Sequence, residues 1–344
     1  MRIAVITNSF PPQTGGAASI ASMQVEVLRN AGHEVRVWHP QVYWLDQSAP
    51  IRFLHHIADL FSLPSLQQEV IGWNPDLLMT HNMTGCGFGT ASAIQSRGYS
   101  WVHYLHDVQL FEPSGRLTDV SRITLWQRIW SALRGWTFGS PTMVISPTRW
   151  LADEHKRRGF FVDAAIEILP NPSPSAEFVP RMPQEPMQLM LVGATHEKGL
   201  DFAKELLTQL PFDAHLDVVG AGMPGDARVT YHGVLDRPAV LEMMKRSDAL
   251  LVPSTIAENQ PTVILEASSV GLPVVAANVG GVSETLDGAG LLCPEGDMPA
   301  WIDSLVHLRD AAAYATQASR MYELARNHDP VAYAATFNQL ISNL

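Results

Sequence analysis

Cysteine is scarce in this 344-residue chain: Cys86 and Cys293 are the two present, and they lie far apart. Two distant thiols make no disulfide framework, and such scarcity points to a reducing compartment. Basic charge is short as well. The formal net charge is −11, from 23 Lys and Arg against 34 Asp and Glu. Residues 1–180 are nearly balanced, with 13 basic and 14 acidic, whereas residues 181–344 hold 10 and 20. No domain is basic enough to neutralise a phosphate backbone, so nucleic acid is not an expected partner. Apolar runs of membrane-spanning length are missing, and Met1 leads straight into an expected strand with no signal-peptide pattern. The expectation is a cytoplasmic protein, at most resting on the face of a membrane. Metal ligands are sparse too. No Asp-x-Asp stands near a strand end, and no tight cluster of His, Cys and carboxylates occurs, so no metal is expected.

What is present fits a globular α/β chain: 46% of residues are hydrophobic and 17% charged, over a length that suggests two domains. Residues 2–7 read as a buried strand, 8–16 as a loop, 17–31 as a helix ended by Gly32, and 34–38 as the next strand. Such a βαβ unit opens a parallel, doubly wound sheet. Its turn, Pro11-Pro12-Gln13-Thr14-Gly15-Gly16, lacks the spacing of a dinucleotide fold. Gly15 and Gly16 either permit a turn or let the backbone approach a phosphate closely. Residues 76–80 and 101–105 are further strands, running out into His81-Asn82 and His106-Asp107. Open α/β sheets bind ligands beyond the carboxyl ends of their strands, so these polar pairs are site candidates. Strands at 142–146 and 165–169, with a helix begun by Thr148 between them, complete this domain.

Residues 122–136 form an expected amphipathic helix. Trp126, Ile129, Trp130 and Leu133 share one face, with Gln127, Arg128, Ser131 and Arg134 opposite. One reading docks the apolar face on the domain core. The other makes it an interfacial anchor, because Trp with Arg suits the lipid headgroup zone and would help reach a lipid-linked acceptor.

Six prolines at 170, 172, 174, 180, 183 and 186 mark a boundary, and 171–187 reads as a semi-rigid linker. The second domain, 188–320, opens with a strand at 188–192, the loop Gly193 to Gly199, and a helix to about 210. That loop is not a P-loop, since Lys198 precedes its glycine and no Ser or Thr follows. Gly220-x-Gly222-x-x-Gly225 matches the dinucleotide spacing, but a strand near 228–231 is expected next. With no helix to receive a pyrophosphate, a nicotinamide cofactor is rejected. A helix follows at 239–247, then a buried strand at 248–252.

The stretch after it organises the chain. Ser254 to Glu266 runs from a strand end across a polar loop into a helix at 262–269, with Pro261 suited to its first turn. A helix N-terminus offers free N–H groups and the positive end of a dipole, a seat for phosphate. Glu258 and Glu266 bracket that seat. Eight helical residues span roughly 12 Å, beyond the roughly 5–9.5 Å of glycosidase carboxylate pairs. The two therefore suit opposite ends of a long ligand, such as a nucleotide-sugar.

Glu258-x7-Glu266, set among Glu258-Asn259-x-Pro261, Leu265-Glu266-Ala267, Gly271-x-Pro273-Val274-Val275-Ala276 and Gly280-Gly281, resembles the donor segment of family 4 retaining glycosyltransferases. The resemblance is dense over 189–297 and continuous but thinner over the N-terminal half. It implies the GT-B fold: two Rossmann-like domains with parallel sheets facing across a cleft, and a last helix within 321–344 crossing back to the domain of residues 1–170. The implied reaction is metal-independent transfer, with retention, from a nucleoside diphosphate sugar, UDP- or GDP-linked, to a glycan, lipid-linked or small-molecule acceptor. No cofactor is implied. Catalytic positions would be His106, Glu258 and Lys198. The donor would meet Gly15, Gly16, Lys198, Leu235, Glu258, Asn259, Gln260, Thr262, Val263 and Glu266. His81, Asn82 and Asp107 would border the acceptor. One departure stands out: family members commonly carry Arg just after the loop glycine, where this chain has Ala194, and Lys198 keeps the cation, with His196 as a partial substitute. A GT-B sugar-nucleotide epimerase and a non-catalytic nucleotide-binding relative are the rival readings.

Overall fold

The computed structural model describes residues 1–11, 15–40, 48–61, 66–175, 178, 181–220, 222 and 225–344. Pro12, Gln13 and Thr14 of the first turn, Pro180 of the proline-rich stretch, and Ala221, Met223 and Pro224 of the glycine motif lie outside the described residues. The chain divides into two compact units: Met1–Pro170 with Tyr333–Leu344, and Asn171–Ala332.

The first unit is built on strands β1 (Arg2–Ile6), β2 (Glu34–Trp38), β3 (Leu77–Thr80), β4 (Ser100–Tyr104), β5 (Met143–Ser146) and β6 (Ala165–Ile168). They pair in the order β2-β1-β3-β4-β5-β6, each pair parallel. Parallel strands covered on both faces read as continuous apolar runs, which is why Ile3-Ala4-Val5-Ile6 and Leu77-Leu78-Met79 are wholly buried. One face packs Ile3, Val5, Leu77 and Met79 with Tyr333, Phe337 and Ile341 of the helix Pro330–Ser342. Gln24 donates to the Tyr333 hydroxyl at 2.6 Å within that core. Strand order reverses between β1 and β3, and there the Asn8 N–H donates to the Asn82 carbonyl at 2.8 Å.

The helix Leu125–Phe138 corrects the face assignment made from periodicity. Thr124 caps it in a capping box with Gln127. The side turned to the domain carries Gln127, Trp130, Ser131, Arg134 and Phe138, while Trp126, Ile129 and Leu133 are exposed. Arg134 decides the orientation. Its guanidinium is fully buried, donates to the Gln109 and Leu110 carbonyls, and lies over the rings of Phe88 and Trp130. A buried cation held by two carbonyls and two ring faces outweighs the ordinary preference for packing the apolar stripe inward.

The second unit holds β7 (Met187–Val192), β8 (Ala214–Val219), β9 (Val229–Tyr231), β10 (Ala249–Val252), β11 (Val274–Ala277) and β12 (Leu291–Cys293). All pair in parallel, in the order β9-β8-β7-β10-β11-β12. This is the doubly wound Rossmann order, with its reversal between β7 and β10. Alternate residues of β7 face opposite cores, Leu189 and Leu191 one, Met190 the other. Met321 and Leu324 of the helix Ala311–Asn327 pack in the second of these cores with Ile264 and Ala267. A strand, not a helix, follows Gly225. Among the described residues, no helix is long and apolar enough to cross a membrane.

Candidate functional site

In the second unit the loops after β7, β10 and β11 converge at the point where strand order reverses. The loop from Gly193 to Gly199 lies against the end of β10. A β-carbon on Gly199, whose φ is +76°, would stand 2.0 Å from the Pro253 carbonyl, so glycine is required for this approach. The Thr255 N–H donates to the Glu197 carbonyl at 3.0 Å and fixes the two loops together. Lys198 consequently meets Glu258, its Nζ donating to Oε1 at 2.5 Å, and Ser254 Oγ donates to the same oxygen at 2.7 Å. From the end of β11, Gly281 N–H donates to the Glu258 carbonyl at 2.8 Å. Gly280, at φ +58°, leaves no room there for a side chain: its β-carbon would be 2.2 Å from that carbonyl.

Past Glu258 the chain enters the helix Thr262–Ser269. Pro261 is its N-cap rather than its first helical residue, and no side chain caps that end. Thr262 and Val263 are half-buried in the first turn, with Val263 and Leu235 resting on the core. Gln260 is nearly buried, and its side-chain oxygen accepts from Asn171 N–H at 2.7 Å, a bond that anchors the entry of the chain into this unit. Glu266 is buried on the helix and paired with Arg237, Nε to Oε1 at 2.9 Å. Burial raises the Glu266 pKa, and Arg237 opposes the rise. Arg237 and Ser254 were not anticipated from the sequence. Asp236 caps the helix Arg237–Met244 and Pro238 stands in its first turn. That helix-start signature, directly after the loop at Gly233, was the available signal for Arg237.

The first unit brings four predicted residues together in two pairs. His81 Nδ1 and His106 Nε2 share a hydrogen bond of 2.8 Å, and Asn82 Nδ2 donates to Asp107 Oδ2 at 2.8 Å. The pairs form because β3 and β4 are parallel neighbours whose ends run out together. Tyr104 lies beside both imidazoles. Burial drives the His81 pKa well below its usual value and that of His106 down to about 3, so both rings are neutral at pH 7. One ring N–H therefore donates to the lone pair of the other. Burial raises the Asp107 pKa, opposed by the hydrogen bonds from Gln109 N–H and Asn82. Gly15, at φ +135°, is the N-cap of the helix Gly16–Asn30, a backbone conformation that side chains disfavour.

Two six-stranded parallel sheets of this topology, each with polar groups at its strand reversal, define the GT-B class. Comparison with known proteins agrees. Glycosyltransferase Family 4 matches residues 14–174 and Glycosyl transferases group 1 matches residues 186–311. The chain belongs to the GT-B glycosyltransferases, joining a family 4 domain to a group 1 domain. D-inositol 3-phosphate glycosyltransferase of Arthrobacter sp. (strain FB24) is 34% identical over 135 residues, which cover 39% of this chain and 29% of that protein. Among solved structures, sucrose-phosphate synthase from Thermosynechococcus elongatus superposes with a TM-score of 0.77 at 18% identity, covering 99% of this chain and 98% of the other. Anabaena HepE in complex with UDP gives 0.69 at 17% identity, over 100% of both chains.

Proposed function

We propose that this chain transfers a sugar from a nucleoside diphosphate sugar to an acceptor hydroxyl, with retention at the anomeric carbon and without a metal. The observation that carries the reading is the convergence of Lys198, Glu258 and the capless helix Thr262–Ser269, with Glu266 on it, at the strand reversal of a Rossmann-ordered sheet. A UDP-linked donor is favoured by the HepE structures, which hold UDP and UDP-glucose. The acceptor is a glycan, a lipid-linked sugar or a small polyol.

In this reading the bond between the sugar C1 and the diphosphate oxygen breaks while the acceptor oxygen bonds to C1 from the same face. The acceptor proton passes to the departing phosphate. Charge grows on the diphosphate as it leaves, and preorganised donors aimed at it lower the barrier. Lys198 supplies one, exchanging its Glu258 partner for phosphate; N–H groups of the helix at 262 supply others. Glu258, released, accepts from sugar hydroxyls, and Glu266, braced by Arg237, accepts from the ribose. Neutral His106 hydrogen-bonds the sugar, and His81, Asn82 and Asp107 frame the acceptor.

Incubation with UDP-, GDP- and ADP-sugars is expected to release nucleotide only when an acceptor is added. Isomerised nucleotide-sugar without acceptor would make the protein an epimerase. Nucleotide binding without turnover on every donor would make it a binding relative. Glu266→Gln is expected to weaken UDP about 10- to 100-fold, the worth of a charge-assisted hydrogen bond. Glu258→Gln should bind UDP as wild type does yet turn over more slowly, and equal loss of UDP affinity in both variants would refute the division of roles. His106→Ala is expected to melt near the wild-type temperature and to lose about tenfold or more in kcat, one hydrogen bond's worth of positioning. A stable variant with normal turnover would make His106 purely structural.

A further inference from the structure

His81 is held at the strand reversal of the first unit by its own backbone. Its N–H donates to the Ile6 carbonyl at 2.9 Å, and the next carbonyl, that of Asn82, accepts from Asn8. The residue is 1% exposed, so whatever it contributes to a ligand passes through the groups it touches. His106 is half-buried and lines a small cavity with Asn82 and Asp107. The two imidazole centroids are 5.0 Å apart with 32° between the ring planes, and Tyr104 lies beside both.

Both rings are neutral at pH 7, so each carries one N–H. The 2.8 Å bond between His81 Nδ1 and His106 Nε2 uses one of the two, and either ring could supply it. If His106 donated, the His81 proton would sit on Nε2, a buried atom with no hydrogen-bond partner among the described residues. Acceptors nearby are already engaged: the Tyr104 hydroxyl bonds Tyr333, and His103 Nδ1 bonds the Thr80 hydroxyl at 2.8 Å. That N–H would be stranded. If His81 donates from Nδ1, its Nε2 is left with a lone pair only. Native interiors keep an under-used acceptor more readily than an orphaned N–H.

We infer that His81 is a positioning residue: its Nδ1–H occupies the Nε2 lone pair of His106, fixes the orientation of that ring and holds its proton on Nδ1. His106 then meets a sugar oxygen as a hydrogen-bond donor, and its engaged Nε2 does not take up the acceptor proton, which is left to the departing phosphate. The consequence for transfer rests on the proposed reaction; the tautomer does not. Long-range proton–nitrogen NMR of the whole protein, isotopically labelled at histidine, reads the tautomer without turnover. With the His106 signals identified by their loss in His106→Ala, the expected wild-type result at pH 7 is a protonated Nδ1 and an unprotonated Nε2. His81→Leu removes the donor, so the His106 proton should redistribute toward Nε2 and kcat should fall about three- to tenfold, one neutral hydrogen bond's worth, with KM for the sugar donor near wild type. His81→Asn places an amide N–H close to where Nδ1 stood and should restore both the tautomer and most of kcat. Wild-type His106 protonated on Nε2 overturns the inference. So does a folded His81→Leu variant with unchanged kcat, or a loss of kcat that His81→Asn leaves uncorrected. A wild type inert on every donor would sink the transfer reading instead, and the spectrum alone would still decide the tautomer.

Discussion

Lys198→Ala is expected to lower kcat/KM for the proposed sugar donor about 10- to 100-fold, the value of one charge-assisted hydrogen bond to its diphosphate. The loss is this large because no other side chain near the loop takes over. Ala194 occupies the place where the resemblance calls for Arg. His196, expected as a partial substitute, is 79% exposed and bonded to Asp201 at 2.9 Å. Arg237 is committed to Glu266. Lys198 is also well placed to switch partners. Its stem packs on Gly193, where a β-carbon would come within 2.9 Å of its Cγ, so the loop directs the ammonium toward the end of β10. Steady-state kinetics on the best donor checks the expectation. A variant as efficient as wild type removes Lys198 from the mechanism.

The second large effect is on stability. Lowering the pH from 7.5 to 5 should cost the first unit several kcal/mol, through buried histidines that stay neutral in the fold. His81, His103, His106 and His155 all have pKa values depressed by burial, that of His106 to about 3 and that of His155 to about 4. The folded pKa lies below the unfolded one, so the unfolded chain takes up protons first as the pH drops. Stability is complete above about pH 6.5 and declines below it by up to about 1.4 kcal/mol per pH unit for each histidine. Asp59 works in the opposite direction. It accepts from Gly85 and Gly87 N–H, and burial lifts its pKa to about 6, so the folded state gains a proton from about pH 6 downward and recovers part of the loss. Urea midpoints at pH 7.5 and 5.0 measure the balance, and equal midpoints would contradict it.

The sheets were legible because buried parallel strands spell themselves out as runs such as Ala249-Leu250-Leu251-Val252. The pairing of His81 with His106 was legible in outline, since both residues follow strands that face one end of the sheet. The helices Ala49–Leu60, Gln67–Trp73 and Gly89–Gln95 went unread. The second and third are two turns long, too short for a periodic signal to rise above chance, and the third begins at glycine. The helix Leu125–Phe138 shows a deeper limit. Periodicity locates an apolar face without saying whether it points in or out, and that is settled by acceptors for Arg134 that come from distant residues. Glu258 was found through its motif, whereas Ser254 and Arg237, which hold the two glutamates in place, act through contacts that one-dimensional spacing does not record.

The first unit's core includes Tyr333, Phe337 and Ile341 beside Ile3 and Val5. On the ribosome these side chains emerge only after the whole of Asn171–Ala332 has been made. Domains ordinarily fold in the order in which they are synthesised, but here the strands of residues 1–170 wait for Tyr333, Phe337 and Ile341 before their core is complete. The second unit is thus the earlier of the two able to complete its own core. Until those three side chains emerge, the sheet of the first unit keeps part of an apolar face open to chaperones.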